Sequence, residues 1–132
     1  MWRAYGLVYR LLQNGIPVYW AIKSYKAYEE TDFTCSQTRD IRSGATYNNP
    51  SYNGGPFIIA AANSTTARAI IDAWNLGQTR IVKVHQYTGT GTFQAPIYRV
   101  LKAAPSISIL RHTDPRTATF QTAFNYLNAA GI

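Results

Sequence analysis

Ile16-Pro17-Val18-Tyr19-Trp20-Ala21-Ile22 is the stretch on which the fold class turns. It is continuously apolar, with no polar alternation. That is the pattern of a strand covered on both faces, as in a parallel sheet between helical layers. Just upstream, Ala4, Leu7, Val8, Leu11 and Leu12 fall on one face at helical spacing through residues 3–14, and Gly15 with Pro17 stops the helix. Helix, glycine turn and buried strand make half of a βαβ unit.

The alternation resumes downstream. Phe57–Ala62 reads as a second buried strand. Asn63 or Ser64 caps a helix whose inner face carries Ala67, Ile70, Ile71 and Trp74, ended by Gly77. Arg80–Gln86 reads as a third strand, Thr88–Thr92 as a turn, and Pro96 as the start of a short helix bearing Ile97, Val100 and Leu101. Ser106–Leu110 reads as a fourth strand. Asp114 or Thr117 then opens a last helix with Phe120, Ala123, Phe124 and Leu127 inward, stopped by Gly131.

This order predicts an α/β fold with a mostly parallel sheet of about four strands flanked by helices. The chain starts in a helix and stops where a strand is due, so the sheet reads as incomplete at both termini. We therefore expect residues 1–132 to form a single α/β domain belonging to a larger domain or assembly, with unpaired edges open to another polypeptide. Residues 23–56 break the pattern. They hold four of the six acidic residues, together with Tyr25, Tyr28, Tyr47 and Tyr52 and few aliphatics. They read as a long irregular excursion, with room for a short helix or hairpin, of the kind that carries function or packs on a neighbour.

Composition narrows the function classes. A chain of 132 residues with 46% hydrophobic content can bury one core without staples. No run reaches the ~18–20 apolar residues of a membrane span, and Met1-Trp2-Arg3 leads into an amphipathic segment, not a signal-peptide core. The lone Cys35 excludes an internal disulfide and a cysteine-built metal site. Charged residues make up only 14%, well below the ~25% usual in soluble domains. Tyrosine, threonine, asparagine and serine replace them, which suits an extracellular or assembled protein.

The net charge is +7, and between Asp72 and Asp114 stand Arg80, Lys83, Arg99, Lys102 and Arg111 with no acidic residue. Those five are the candidate anion-binding residues, suited to salt-sensitive association with an anionic polymer such as a polysaccharide. They form no stripe interleaved with aromatics, so base-specific recognition of nucleic acid is not expected.

A ligand site in an open parallel sheet lies beyond the carboxyl ends of its strands. There the sequence places His85, Thr88, Gly89, His112 and Asp114, the candidate ligand-binding set. Cys35 sits in Asp32-Phe33-Thr34-Cys35-Ser36, without the flanking glycines of a nucleophile elbow, and reads as a buried, inert thiol. Gly89-Thr90-Gly91 is too short for a phosphate loop. A metal would need a third ligand beyond the two histidines and Asp114, and spacing marks none. No catalytic set and no cofactor is implied.

Tyr5-Gly6-Leu7-Val8-Tyr9, Gly15 through Ile22, Gly54-Gly55-Pro56-Phe57-Ile58-Ile59, and Asn125-Tyr126-Leu127-Asn128-Ala129-Ala130-Gly131-Ile132 together resemble a domain of large secreted bacterial proteins. That domain is similar to the amidotransferase-like, flavodoxin-like α/β class. The resemblance implies that fold, a secreted or surface location and a longer parent chain. Amidotransferase catalysis does not come with it, because neither His85 nor His112 has a glutamate two residues on. The expected function is a non-catalytic structural or interaction domain of an extracellular bacterial protein that associates with itself or its parent chain through open sheet edges. A hydrolase-like enzyme or small-ligand binder, and a weak binder of anionic polymers, are the alternatives.

Overall fold

The computed structural model describes residues 2–107 and 118–132. The chain divides into two compact units. Residues 1–16, 62–82 and 102–132 form a helical unit, and residues 17–61 and 83–101 form a strand unit.

The helical unit holds α1 (Trp2–Gln13), α2 (Ser64–Asn75) and α3 (Ala118–Ala130). Leu7, Val8, Leu11 and Leu12 of α1, with Ile16 just beyond it, are buried with Ala67, Ile71 and Ala130. Gly15 and Gly131 end their helices as the sequence predicts. The Ile16 N–H returns to the Leu11 carbonyl and Gly15 to Leu12, and Ile132 and Gly131 repeat this onto Leu127 and Asn128. Both glycines take positive φ, +71° and +80°, which an L side chain resists. Asn63 occupies the cap position of α2 but makes no side-chain capping bond. Beyond α2, the Asn75 side chain clasps Val82 through both its backbone N–H and its carbonyl, each at 2.9 Å. On α3, Phe124 is exposed, not inward as its spacing predicts.

The strand unit overturns the parallel-sheet expectation. All pairing is antiparallel, in three small sheets. The run Ile16–Ile22 does supply a strand, β1 (Val18–Ala21), with Val18 and Ala21 fully buried. Burial on both faces is what the run encodes; strand direction is not. The Phe57–Ala62 strand shrinks to β6 (Phe57–Ile58), and that of Arg80–Gln86 becomes β7 (His85–Tyr87). The helix expected after Pro96 is instead β8 (Ile97–Leu101). Ile97, Tyr98 and Val100 are β-branched or aromatic, and strand pairing with β1 prevails over their helical spacing. The flavodoxin-like layering implied by the resemblance is replaced as well. Most of the strand expected at 106–110 lies outside the described residues.

Residues 23–56 contain the hairpin that the sequence leaves room for, longer than expected. They carry β2 (Thr31–Thr34), β3 (Gln37–Asp40), β4 (Thr46–Asn48) and β5 (Ser51–Asn53). Thr34–Ser51, Gln37–Asn48, Thr38–Tyr47 and Arg39–Thr46 keep one register, so the four strands form one long ribbon. The ribbon is interrupted at Cys35-Ser36 opposite Asn49-Pro50. Pro50 has no N–H to give and Asn49 adopts φ +50°, which breaks the ladder there. β7 joins the free side of β3, giving the order β4-β3-β7, while β6 and β8 flank β1.

Candidate functional site

Asp40 ends β3 at the tip of the ribbon. Its Oδ1 accepts the backbone N–H groups of Arg42 (2.8 Å) and Ser43 (2.9 Å), closing an Asx turn. These bonds, foremost those from Ser43 and Arg42, hold its carboxyl below the usual carboxylate range. The other oxygen faces β7, where His85 stands directly opposite in register.

His85 Nε2 lies 3.9 Å from Asp40 Oδ2, and its Nδ1 lies 2.8 Å from the Tyr52 hydroxyl. Tyr52 in turn meets Thr38 Oγ1 at 3.0 Å. One assignment satisfies the chain: with Thr38 donating to Tyr52 and Tyr52 to His85 Nδ1, an Nε2–H would face the carboxylate. Burial pushes the Tyr52 phenol up, against the lowering bond from Thr38, so it stays protonated at neutral pH. Tyr47 stacks on the imidazole at 5.0 Å and Phe33 stacks on Tyr52 at 5.1 Å. Both ring nitrogens of His85 therefore face protein groups, and the cluster ties β3, β5 and β7 together.

The other sequence-predicted residues are scattered. Thr88, just after β7, bonds Gln37 through its backbone N–H and its hydroxyl. Gly89 sits tight under the Ser36–Tyr87 pair, where a Cβ would come within 2.1 Å of Ser36 Oγ. His112, Asp114 and Arg111 lie outside the described residues. Arg80 and Lys102 belong to the helical unit, Lys83 and Arg99 to the strand unit, and all four are exposed. Among the described residues, no group of three potential ligands could hold a metal ion, and no helix is long and apolar enough to cross a membrane.

Two features escaped the sequence reading. The first is Asp32 on β2, whose side chain is fully buried. It accepts the Lys23 N–H (2.8 Å), the Gly55 N–H (2.9 Å) and the Lys26 ammonium (2.8 Å). Burial alone would raise its pKa, but the bonds from Lys26, Gly55 and Lys23 outweigh it and leave the carboxyl below its ordinary value. Gly55 also presents its carbonyl to Trp20 Nε1 at 2.9 Å, and at φ +71° it leaves no room for a Cβ against that nitrogen. The signal was an aspartate among strand formers, whose Gly54-Gly55 partner lies far along the chain and is legible only once the ribbon is known.

The second is β8 itself. Among the described residues it is the outermost strand of its sheet, and Ile97, Tyr98, Arg99 and Val100 are all exposed. Tyr98 meets Trp20 edge-on at 5.9 Å, and the Arg99 guanidinium lies 4.7 Å over the Tyr98 ring. The Ala21 N–H bonds the Pro56 carbonyl on one side of β1, and the Ile22 N–H bonds Pro96 on the other. By that alternation Trp20 faces Arg99 across the ladder, and the Val100 N–H and carbonyl lie on the outer edge.

No family model, curated protein or solved structure matches the chain.

Proposed function

We propose that this chain is a non-catalytic interaction domain that adds a strand of another polypeptide to the outer edge of β8. The observation that carries this reading is an edge strand with Ile97, Tyr98 and Val100 each more than 40% exposed and no further strand paired to it among the described residues. Unpaired backbone groups beside exposed apolar side chains are a template for strand addition. Pro96 and the bulge at Tyr98 blunt the first half of the edge, leaving Arg99–Leu101 regular. Such blunting suits one short partner strand and opposes open-ended stacking. The polar cluster around His85 supports the same reading, since its hydrogen-bonding groups are engaged within the protein. The sparse charge of the chain favours an extracellular or cell-surface setting.

The test is association measured with and without the outer N–H of β8. Val100→Pro deletes that donor while sparing the bonds to β1, because Val100 points its backbone outward. Light scattering for self-association, and fluorescence anisotropy with labelled seven-residue Val/Thr peptides of different charge, should show binding by the unaltered chain that Val100→Pro weakens at least tenfold. A chain that stays monomeric and binds no peptide, or binding indifferent to Val100→Pro, overturns the reading.

A further inference from the structure

Resting on that edge-pairing reading, we infer that the strand β8 accepts is an extended segment of a different protein carrying an acidic residue across from Arg99, and not a second copy of this chain. Arg99 is the one charged residue in β1, β6 and β8. It makes no ion pair with a carboxylate among the described residues, whereas Asp32, Asp40, Asp72 and Glu30 each face a basic side chain. Its guanidinium lies over the Tyr98 ring and donates to the Tyr98 carbonyl. The side chain is thus laid flat along the strand, and little rotamer freedom remains to be lost when a carboxylate arrives.

Charge then selects the occupant. A second copy brings its own Arg99 to the same five-residue strand and a net charge of +7 to the encounter. Like charges across a strand pair are unfavourable, and pairing centred on the regular Arg99–Leu101 half would set the two arginines within about one Debye length, ~10 Å. A polyphosphate chain fits no better, because nucleic acid binding rests on several phosphate contacts and this sheet offers one cation. A single carboxylate flanked by alternating apolar residues matches both features: it pairs with Arg99 while its neighbours cover Ile97 and Val100.

The experiment is anisotropy titration of the full chain with three labelled seven-residue Val/Thr peptides that differ only at one central position, Glu, Gln or Lys, at about 50 mM and 500 mM salt. The Glu peptide should bind about tenfold tighter than the Lys peptide at low salt, from the summed gain and loss of one cross-strand charge pair. High salt should shrink the gap, and Arg99→Glu should reverse the order. Equal binding of the three peptides, with Val100→Pro still abolishing it, refutes the acidic partner and leaves edge pairing standing. A dimer in light scattering that Val100→Pro dissociates makes a second copy the occupant and also refutes it. Peptide binding untouched by Val100→Pro removes the edge reading beneath both.

Discussion

Replacing Asp32 by asparagine keeps the shape of a buried side chain and removes the charge that three donors converge on. One amide oxygen can still accept a hydrogen bond. The amide nitrogen must then point at either a backbone N–H or the Lys26 ammonium, donor against donor. Loss of a charged hydrogen bond costs about 1.5–3 kcal/mol, and stripping one partner from a buried ion pair costs about 3–5. Lys26 retains some exposure and can turn to water, so a total near 3 kcal/mol is expected. For a chain of this length that lowers Tm by about 10–15 °C. The effect depends on pH in a definite direction. The folded-state pKa of Asp32 is depressed, so its stabilisation is complete above the ordinary aspartate value near 4 and is lost as pH falls through the folded value. Thermal melts followed by circular dichroism should therefore show a wide gap between the two proteins at pH 7 that narrows steadily below about pH 4. A pH 7 shift under about 3 °C, or an equal shift at pH 3, would refute the reasoning.

Further outcomes follow from the same contacts. Gly6→Ala drives a methyl to 1.5 Å from the Ala130 carbonyl oxygen where α1 meets α3, and should cost about 3 kcal/mol in urea unfolding; an unchanged midpoint would mean the two helices do not cross there. Tyr52→Phe deletes the bonds to Thr38 and His85 and should cost about 1–3 kcal/mol with an unaltered urea slope. Burial pushes the Cys35 thiol up, so a chromogenic disulfide reagent at pH 7.5 should react with it only after denaturant is added; labelling of the native chain at the rate of a free thiol would contradict its placement.

The helices were legible in the sequence because one helix face and its stop signals are local. The spacing of Leu7, Val8, Leu11 and Leu12 and the glycine at position 15 need no partner to be recognised. Strand direction was not legible. Val18 and Ala21 are buried by whatever covers them, and the same apolar run serves parallel or antiparallel neighbours. The length and register of the ribbon were not legible because Thr38 and Asp40 are polar yet face inward, each satisfied by a partner distant in sequence, Tyr52 and His85. His85 was picked out from sequence, but its companions could not be, since register alone brings them to it. β8 failed for a different reason: Ile97, Val100 and Leu101 fit a helical face and a strand equally well, and only β1 arbitrates.

The meeting of Gly6 with Ala130 has a kinetic consequence. Nearly the whole chain is a loop closed by that one contact, roughly 120 residues whose ends must find each other at an entropic cost of about 4 kcal/mol. During synthesis α1 emerges well ahead of α3, and their contact waits for nearly all the residues between the two helices. Ile16 and α2 can cover part of its apolar face earlier, but the part that meets α3 stays open until then, which predicts late consolidation of the helical unit.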